Sequence, residues 1–141
     1  MSEYDCLLLE NQLCFPLYAA SREVLKLYTP LLKELDLTYT QYIALMVLWE
    51  KKEVSVKKLC NRLFLDTGTL SPMLKAMEKR GIVRRSRAKD DERLVTVALT
   101  ASGEELKERA AEIPAKIGSC LPLNADEAKT LYGLLYKILE K

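Results

Sequence analysis

The most informative absences are those of histidine, of paired cysteines and of long apolar runs. The 141 residues include no histidine and only four cysteines, at positions 6, 14, 60 and 120, with no Cys-x-x-Cys pair. A structural zinc site needs four clustered ligands, so we expect no metal and no cofactor. No apolar stretch approaches the roughly 18 residues that span a bilayer, and the acidic start lacks the pattern of a signal peptide. These features predict a cytoplasmic protein with reduced thiols and no membrane association.

Glycine and proline are also scarce, with five of each, and most of them separate segments of regular apolar spacing. Apolar residues make up 49% of the chain and charged residues 30%, which is typical of a folded domain and not of a disordered chain. The length predicts a single domain over residues 1–141. The net charge of +2 indicates no partner by itself, so the placement of the charges has to decide.

The N-terminal part of the chain is predicted to be helical. Apolar residues recur at helical spacing over residues 7–28 and predict a first helix, which Pro16 should bend because it removes an internal hydrogen bond. Thr29 followed by Pro30 is typical of a helix start and predicts a short second helix to about residue 35. Thr40 is the expected N-cap of a third helix.

A helix-turn-helix followed by a β-hairpin is predicted in the middle of the chain. Ser55 is expected to cap the fourth helix, and the fifth helix runs from about residue 68 or 69 to Lys79, where Gly81 ends it. The β-rich runs 82–87 and 94–99 flank a polar loop and predict an antiparallel hairpin. A hairpin in this place is a wing, so the predicted fold class is mainly α with a small β-hairpin wing, a winged helix-turn-helix.

Two further helices complete the prediction. Thr100 is expected to cap a long sixth helix that reaches about Cys120. Asn124 should cap the seventh helix, which carries more apolar residues than a lone surface helix needs. The excess predicts packing against another helix, either within the chain or in a second copy.

Positive charge concentrates in the predicted fifth helix and the first strand of the wing. Between residues 75 and 89 there are seven lysines or arginines against a single acid, Glu78. Such a surface neutralises phosphates, and small polar residues at a helix N-terminus can approach base edges. The alternative is an ordinary solvated face, but the coincidence with a helix-turn-helix and a wing favours duplex DNA. The predicted DNA-binding residues here are Thr67, Gly68, Thr69, Ser71, Lys75, Arg84, Arg85 and Arg87.

These residues resemble the MarR family of winged-helix regulators over nearly the whole chain. The most specific stretch is DER at 91–93 followed by VTVALTASG at 95–103, which fits the wing and the strand-to-helix pattern of the family. The resemblance implies that Arg93 enters the minor groove, where the negative potential is enhanced, and that Asp91 braces the wing. It also implies a homodimer with dimerisation helices from both termini, about 1–35 and 101–141, around a DNA-binding part at about 40–100. A two-fold dimer implies a palindromic operator.

Two segments are similar to the organic-hydroperoxide and thiol-based sensors of OhrR type within that family. Residues 9–23, LENQLCFPLYAASRE, look like the first helix of these sensors, with the sensing cysteine at Cys14. Residues 65–74, LDTGTLSPML, look like the start of their recognition helix. The resemblance also implies that Tyr28 and Tyr39 donate hydrogen bonds to the Cys14 thiolate, from the same or from different subunits.

The expected chemistry is oxidation of Cys14 by a peroxide. A thiolate attacks the peroxide and becomes a sulfenic acid, which a second thiol can trap. With no histidine in the chain, tyrosine hydroxyls are the available donors, and Tyr18 lies one helical turn from Cys14. The resemblance makes Cys120 the candidate resolving thiol. The predicted function is therefore a transcriptional repressor that leaves its operator when an organic hydroperoxide oxidises Cys14.

The sequence leaves three other functions as alternatives. A MarR-type regulator could instead respond to a small phenolic or lipophilic ligand between the dimer helices. A thiol peroxidase would need a peroxidase motif, and none is present, so we expect no enzyme. A protein-interaction module would leave the basic wing unexplained. Of the remaining cysteines, Cys60 is expected to be a small buried hydrophobe and Cys6 to be incidental.

Overall fold

The computed structural model describes residues 2–87 and 94–140 and shows a mainly helical chain with one small sheet. Two short 3₁₀ turns, Asp5–Leu7 and Leu9–Asn11, precede the first α-helix. None of the helices in the described ranges combines the length and the hydropathy needed to cross a membrane. The elements are α1 Cys14–Lys33, α2 Tyr39–Lys51, β1 Glu53–Ser55, α3 Val56–Leu63, α4 Thr67–Lys79, β2 Val83–Arg87, β3 Val95–Leu99, α5 Ala101–Ala110, α6 Ile113–Cys120 and α7 Ala125–Leu139.

The hydrophobic core lies between the helix-turn-helix and the sheet. Strands β2 and β3 form the predicted antiparallel hairpin, with Val83 opposite Leu99, and β1 adds to the free side of β3. The helices α2, α3 and α4 cover this sheet with side chains that are fully buried, including Leu48, Leu59 and Leu74. The core fixes α4 relative to the wing, and the predicted fold class is confirmed.

Local capping signals set most of the helix boundaries around the wing. Ser55 caps α3 as predicted, and Gly81 has a φ of 83° in the left-handed region directly after α4. Thr100 caps α5, and Asn124 begins α7 with a capping box in which its side chain and that of Glu127 each accept from the other's backbone amide. These four predictions are confirmed because a cap depends on only a few neighbouring residues.

The first helix differs from the prediction in both its start and its end. It begins at Cys14 instead of near residue 7, so Pro16 lies in the first turn, where its missing amide removes no helical hydrogen bond and causes no bend. Pro30 lies inside α1, so the separate second helix was wrong. The hydroxyl of Thr29 donates to the carbonyl of Leu25 at 3.2 Å and caps nothing.

Three further expectations need correction. The N-cap of α2 is Thr38 and not Thr40, because Thr38 forms a reciprocal capping box with Gln41. The long sixth helix is two helices, α5 and α6, with a break at Ala111 and Glu112. Strand β1 was not predicted at all, since its three residues are too few to show an alternating pattern.

Candidate nucleic-acid interface and thiol site

Helix α4 presents one face to the core and a small, polar and basic face to solvent. Leu70, Leu74 and Met77 are fully buried. The opposite face is exposed and consists of Gly68, Thr69, Pro72, Lys75, Ala76 and Lys79. Small residues allow a helix to approach a major groove closely, and exposed lysines can neutralise phosphates. Sequence reasoning did not single out Pro72 and Ala76, although their helical spacing from Thr69 was a sufficient signal.

The start of α4 is held by Asp66. Its carboxylate accepts the backbone amide of Thr69 at 2.7 Å, and this bond holds the pKa of Asp66 below its ordinary value. Thr67, the first residue of the helix, has its hydroxyl 3.8 Å from the Sγ of the buried Cys60. Ser71 is half-buried. Thr67, Gly68 and Thr69 are exposed, so these three residues of the predicted group are accessible in the first turn.

The arginines of strand β2 divide between two roles. Arg84 is exposed, on the strand face opposite to Arg85. Arg85 donates its backbone amide to Glu78 at 3.1 Å and its guanidinium to the same carboxylate at 3.2 Å. The hydrogen bond from the backbone amide of Arg85 is the main reason that the pKa of Glu78 is lowered. Arg85 thus joins the wing to α4, while Arg84 and the exposed Arg87 remain predicted DNA contacts. The predicted wing residues Asp91 and Arg93 lie outside the described residues.

Cys14 lies at the exposed N-terminus of α1. It is the first residue of the helix, and the preceding Leu13 offers no capping side chain. The unpaired amides of a helix N-terminus attract negative charge, which suits a thiolate. One turn further along, Tyr18 is exposed and carries the guanidinium of Arg22 over its ring at 5.3 Å. The sequence did not reveal that Cys14 is the first residue of the helix, because the predicted helix began seven residues earlier.

The predicted tyrosine pair does come together. The rings of Tyr28 and Tyr39 are 4.9 Å apart in an edge-to-face arrangement, and Tyr42 completes a cluster at 5.9 and 6.2 Å from them. Burial raises the pKa of both Tyr28 and Tyr39, so their hydroxyls stay protonated and able to donate at neutral pH. Tyr28 is 14 residues from Cys14 on the same helix, about 21 Å along its axis. The pair therefore cannot reach the Cys14 of its own chain.

A cavity of about 760 Å³ lies beside this tyrosine pair. Tyr28 and Tyr39 line one part of it, and Lys79 and Arg80 from the end of α4 line another. The tyrosine pair and the end of α4 therefore line the same cavity. Cys120 is exposed at the last residue of α6, and Cys6 is exposed near the N-terminus.

The terminal helices expose a large amount of apolar surface. No residue of α7 is buried, although the helix carries three leucines and an isoleucine that are about half exposed. Large exposed apolar patches mark protein interfaces. The exposed large side chains of the terminal segments include Leu13, Phe15, Leu17, Tyr18, Leu25, Leu131, Tyr132, Leu134, Ile138 and Leu139.

Comparison with known proteins agrees with this geometry. The family model for the transcriptional regulator SarA/Rot matches residues 26–110. The organic hydroperoxide resistance transcriptional regulator of Bacillus subtilis is 48% identical over 139 residues, which cover 99% of this chain and 95% of that protein. The structure of reduced AbfR bound to DNA has a TM-score of 0.79 at 37% identity and covers 94% of this chain and 91% of its own. Overoxidized AbfR bound to DNA has a TM-score of 0.81 at 36% identity, with 99% and 98% covered.

The fold, the basic helix and these relatives together define the class of protein: a winged-helix, DNA-binding transcriptional regulator, not an enzyme. The chain belongs to the MarR family, and within it to the OhrR-like group of thiol-based sensors. The predicted family and regulatory function are thereby confirmed. The roles of individual residues stay predictions.

Proposed function

We propose that this protein is a homodimeric cytoplasmic repressor that binds a palindromic operator while Cys14 is reduced and releases it when an organic hydroperoxide oxidises Cys14. The observation that carries the proposal is the position of Cys14, exposed at the N-terminus of α1, in a chain whose relative regulates organic hydroperoxide resistance. The thiol is accessible to an oxidant and lies at the end of a helix that favours an anion.

In the DNA complex, α4 of each protomer lies in the major groove with its exposed face toward the bases. Thr69 and its small neighbours face base edges, and Lys75 and Lys79 lie near phosphates. The wing follows α4 directly, and Arg93 is our candidate contact for the adjacent minor groove. Residues of about 40–100 form this DNA-binding part.

The dimerisation part, at about 1–35 and 101–141, brings the tyrosines to the thiol across the two-fold axis. Cys14, Leu17, Ser21, Leu25 and Tyr28 follow one another at intervals of three or four residues and so form one stripe along α1. Cys14 and Tyr28 are equally distant from Ser21 along the helix, and so are Leu17 and Leu25. If two α1 helices cross antiparallel at Ser21, Cys14 of one protomer would lie against Tyr28 of the other, and Leu17 against Leu25. Each contact would then occur twice, as an isologous interface requires. Tyr28 and its neighbour Tyr39 would then donate to the thiolate of the partner.

The proposed reaction is a two-electron oxidation. The Cys14 thiolate attacks one oxygen of the hydroperoxide, so that an S–O bond forms, the O–O bond breaks and the alcohol leaves after taking up a proton. The thiolate becomes a sulfenic acid and the hydroperoxide is reduced. A second thiol can then displace water and form a disulfide, and the exposed Cys120 is our candidate for that thiol.

A gel-shift experiment with operator DNA tests the sensing step. Cumene hydroperoxide should abolish binding by the wild type and leave binding by Cys14→Ser intact. The buried Cys60→Ser variant is the matched control and should respond like the wild type, because its thiol lies in the core. A Cys14→Ser protein that still releases DNA on oxidation would refute thiol sensing at this position.

The resolving role of Cys120 needs its own experiment. Oxidised wild-type protein should run as a cross-linked dimer on a non-reducing gel, and Cys120→Ser should abolish that band. A band that persists in Cys120→Ser would exclude this residue as the resolving thiol.

A second candidate function is regulation by a small phenolic or lipophilic ligand. The observation that favours it is the cavity of about 760 Å³ beside Tyr28 and Tyr39, which has the size of a small-molecule site. Titration of Cys14→Ser protein with such ligands, followed by operator binding, would separate this function from peroxide sensing.

A further inference from the structure

Arg80 is the last residue associated with the recognition helix, and its side chain does not face the DNA surface. It is the C-cap of α4, and its guanidinium reaches the turn between α1 and α2. Nη2 donates to the carbonyl of Leu35 at 2.7 Å, Nη1 donates to the carbonyl of Asp36, and Nε lies 3.8 Å from the Asp36 carboxylate. This residue belongs to the basic run, but its contacts are within the protein.

The turn that receives Arg80 is held to α1 and to the core. The amide of Leu37 donates to the carbonyl of Leu32 at 3.0 Å, and Asp36 between them has a φ of 55° in the left-handed region. Leu35 and Leu37 are buried. The carbonyls of Leu35 and Asp36 lie in the turn after Lys33, the last residue of α1, and the guanidinium of Arg80 donates to both. The guanidinium therefore attaches the C-terminal end of α1 to the C-terminal end of α4.

The same residue borders the cavity beside the tyrosine pair. Tyr28 and Tyr39 lie on one side of that cavity, and Ala76 and Arg80 lie on the side of α4. The backbone amide of Arg80 still bonds to the carbonyl of Ala76 at 3.1 Å, so the arginine is continuous with the recognition helix. A displacement of α1 near the tyrosines would therefore be transmitted to α4 through the two hydrogen bonds that the Arg80 guanidinium donates to Leu35 and Asp36.

We propose that Arg80 is a positioning residue that couples the oxidation state sensed on α1 to the orientation of the recognition helix. The inference rests on the proposed function, because it concerns how oxidation of Cys14 reaches the DNA surface. The coupling is measured as the ratio of the operator Kd of oxidised protein to that of reduced protein. The geometry requires the fork of the guanidinium, since an ammonium group cannot bind two carbonyls in the same fixed arrangement.

The experiment compares Arg80→Gln, Arg80→Lys and the control Lys75→Gln with the wild type. Fluorescence anisotropy gives both Kd values for each protein, a thiol assay gives the rate of Cys14 oxidation, and thermal unfolding reports folding. Both Arg80 variants should oxidise at the wild-type rate, yet their Kd ratio should fall at least tenfold toward one. Lys75→Gln removes an exposed charge from α4 and should weaken binding in both states alike, with the ratio unchanged.

Three outcomes would overturn the inference. A Kd ratio within twofold of the wild type in both Arg80 variants would show that the link carries no signal. A normal ratio in Arg80→Lys with a reduced one in Arg80→Gln would show that charge matters and the fork does not. Slower oxidation of Cys14 in the variants would place Arg80 in the sensing site instead. If the wild type itself keeps its operator after oxidation, the proposed function fails, and that failure is visible without any Arg80 variant.

Discussion

Substitution of Gly103 by alanine tests the junction between the wing and α5 with a single methyl group. A Cβ at this position would lie 2.1 Å from the backbone oxygen of Ile82 and 2.9 Å from a methyl group of Leu99. Ordinary van der Waals contact begins at roughly 3.5 Å, so either Ile82 or the start of α5 must move by more than about 1 Å.

The surrounding hydrogen bonds resist that movement. The carbonyl of Ile82 accepts the amide of Thr100 at 3.2 Å, and the carbonyl of Gly103 accepts the buried indole N–H of Trp49 at 3.0 Å. Overpacking of this kind costs about 1–3 kcal/mol, and weakening the two hydrogen bonds adds about 1 kcal/mol. Alanine gains back about 1 kcal/mol of helix propensity. The last two contributions cancel, so the expected net loss in the free energy of unfolding is about 1–3 kcal/mol.

Gly118→Ala is the matched control, because a Cβ there meets nothing within 4 Å. It should stabilise α6 by up to about 1 kcal/mol. Urea unfolding of both variants and the wild type, in reducing buffer at one fixed protomer concentration, measures the difference. Gly103→Ala should also bind operator DNA more weakly, since the base of the wing is displaced. A Gly103→Ala protein as stable as the wild type would refute the close approach of α5 to Ile82.

Three further predictions concern α4 and the tyrosine cluster. Asp66→Ala should lower the urea midpoint at pH 7, because the variant lacks the carboxylate that caps α4. Since the pKa of Asp66 is lowered, the difference from the wild type should disappear as the pH falls below about 4. Equal midpoints at pH 7 would contradict the cap. Lys75→Gln should reduce the slope of log K against log salt by about 0.9, and an unchanged slope would place Lys75 away from phosphate. Since burial raises the pKa of Tyr28, Tyr28→Phe should remove a step above pH 10 from the tyrosinate absorbance titration. Loss of a step at or below pH 10 would contradict the burial of Tyr28. The stabilisation from a neutral Tyr28 is present below pH 10 and is lost as the pH rises through the raised pKa.

Features that depend on a few consecutive residues were predictable from the sequence. Ser55, Gly81 and Asn124 ended or began helices where expected, because capping involves residues within four positions of one another. The basic run after Lys75 and the two β-rich segments predicted the wing for the same reason. The resemblance carried the sensing cysteine and the tyrosine pair, and the structure places Tyr28 beside Tyr39.

Local rules failed where packing opposed them. Thr29 followed by Pro30 predicts a helix start, yet α1 continues through Pro30 and carries Leu32, two residues on, into the core. The break between α5 and α6, in contrast, follows a local rule that the prediction missed, because Pro114 stands in the first turn of α6 and has no amide to continue the helical hydrogen bonds of α5. The buried residues Ala110 and Ile113 pack on the core from both sides of it.

The sequence by itself determined the class of fold, the helix-turn-helix, the wing and the chemistry of the candidate thiol, because periodicity, caps and residue types are properties of short segments. Only the tertiary structure decided that, of the basic residues, Arg80 and Arg85 bind within the protein. Arg80 and Arg85 have the same charge as Lys75, but they form ion pairs with Asp36 and Glu78. The partner of Arg80 is 44 residues away in the chain, and no local pattern specifies a contact at that separation.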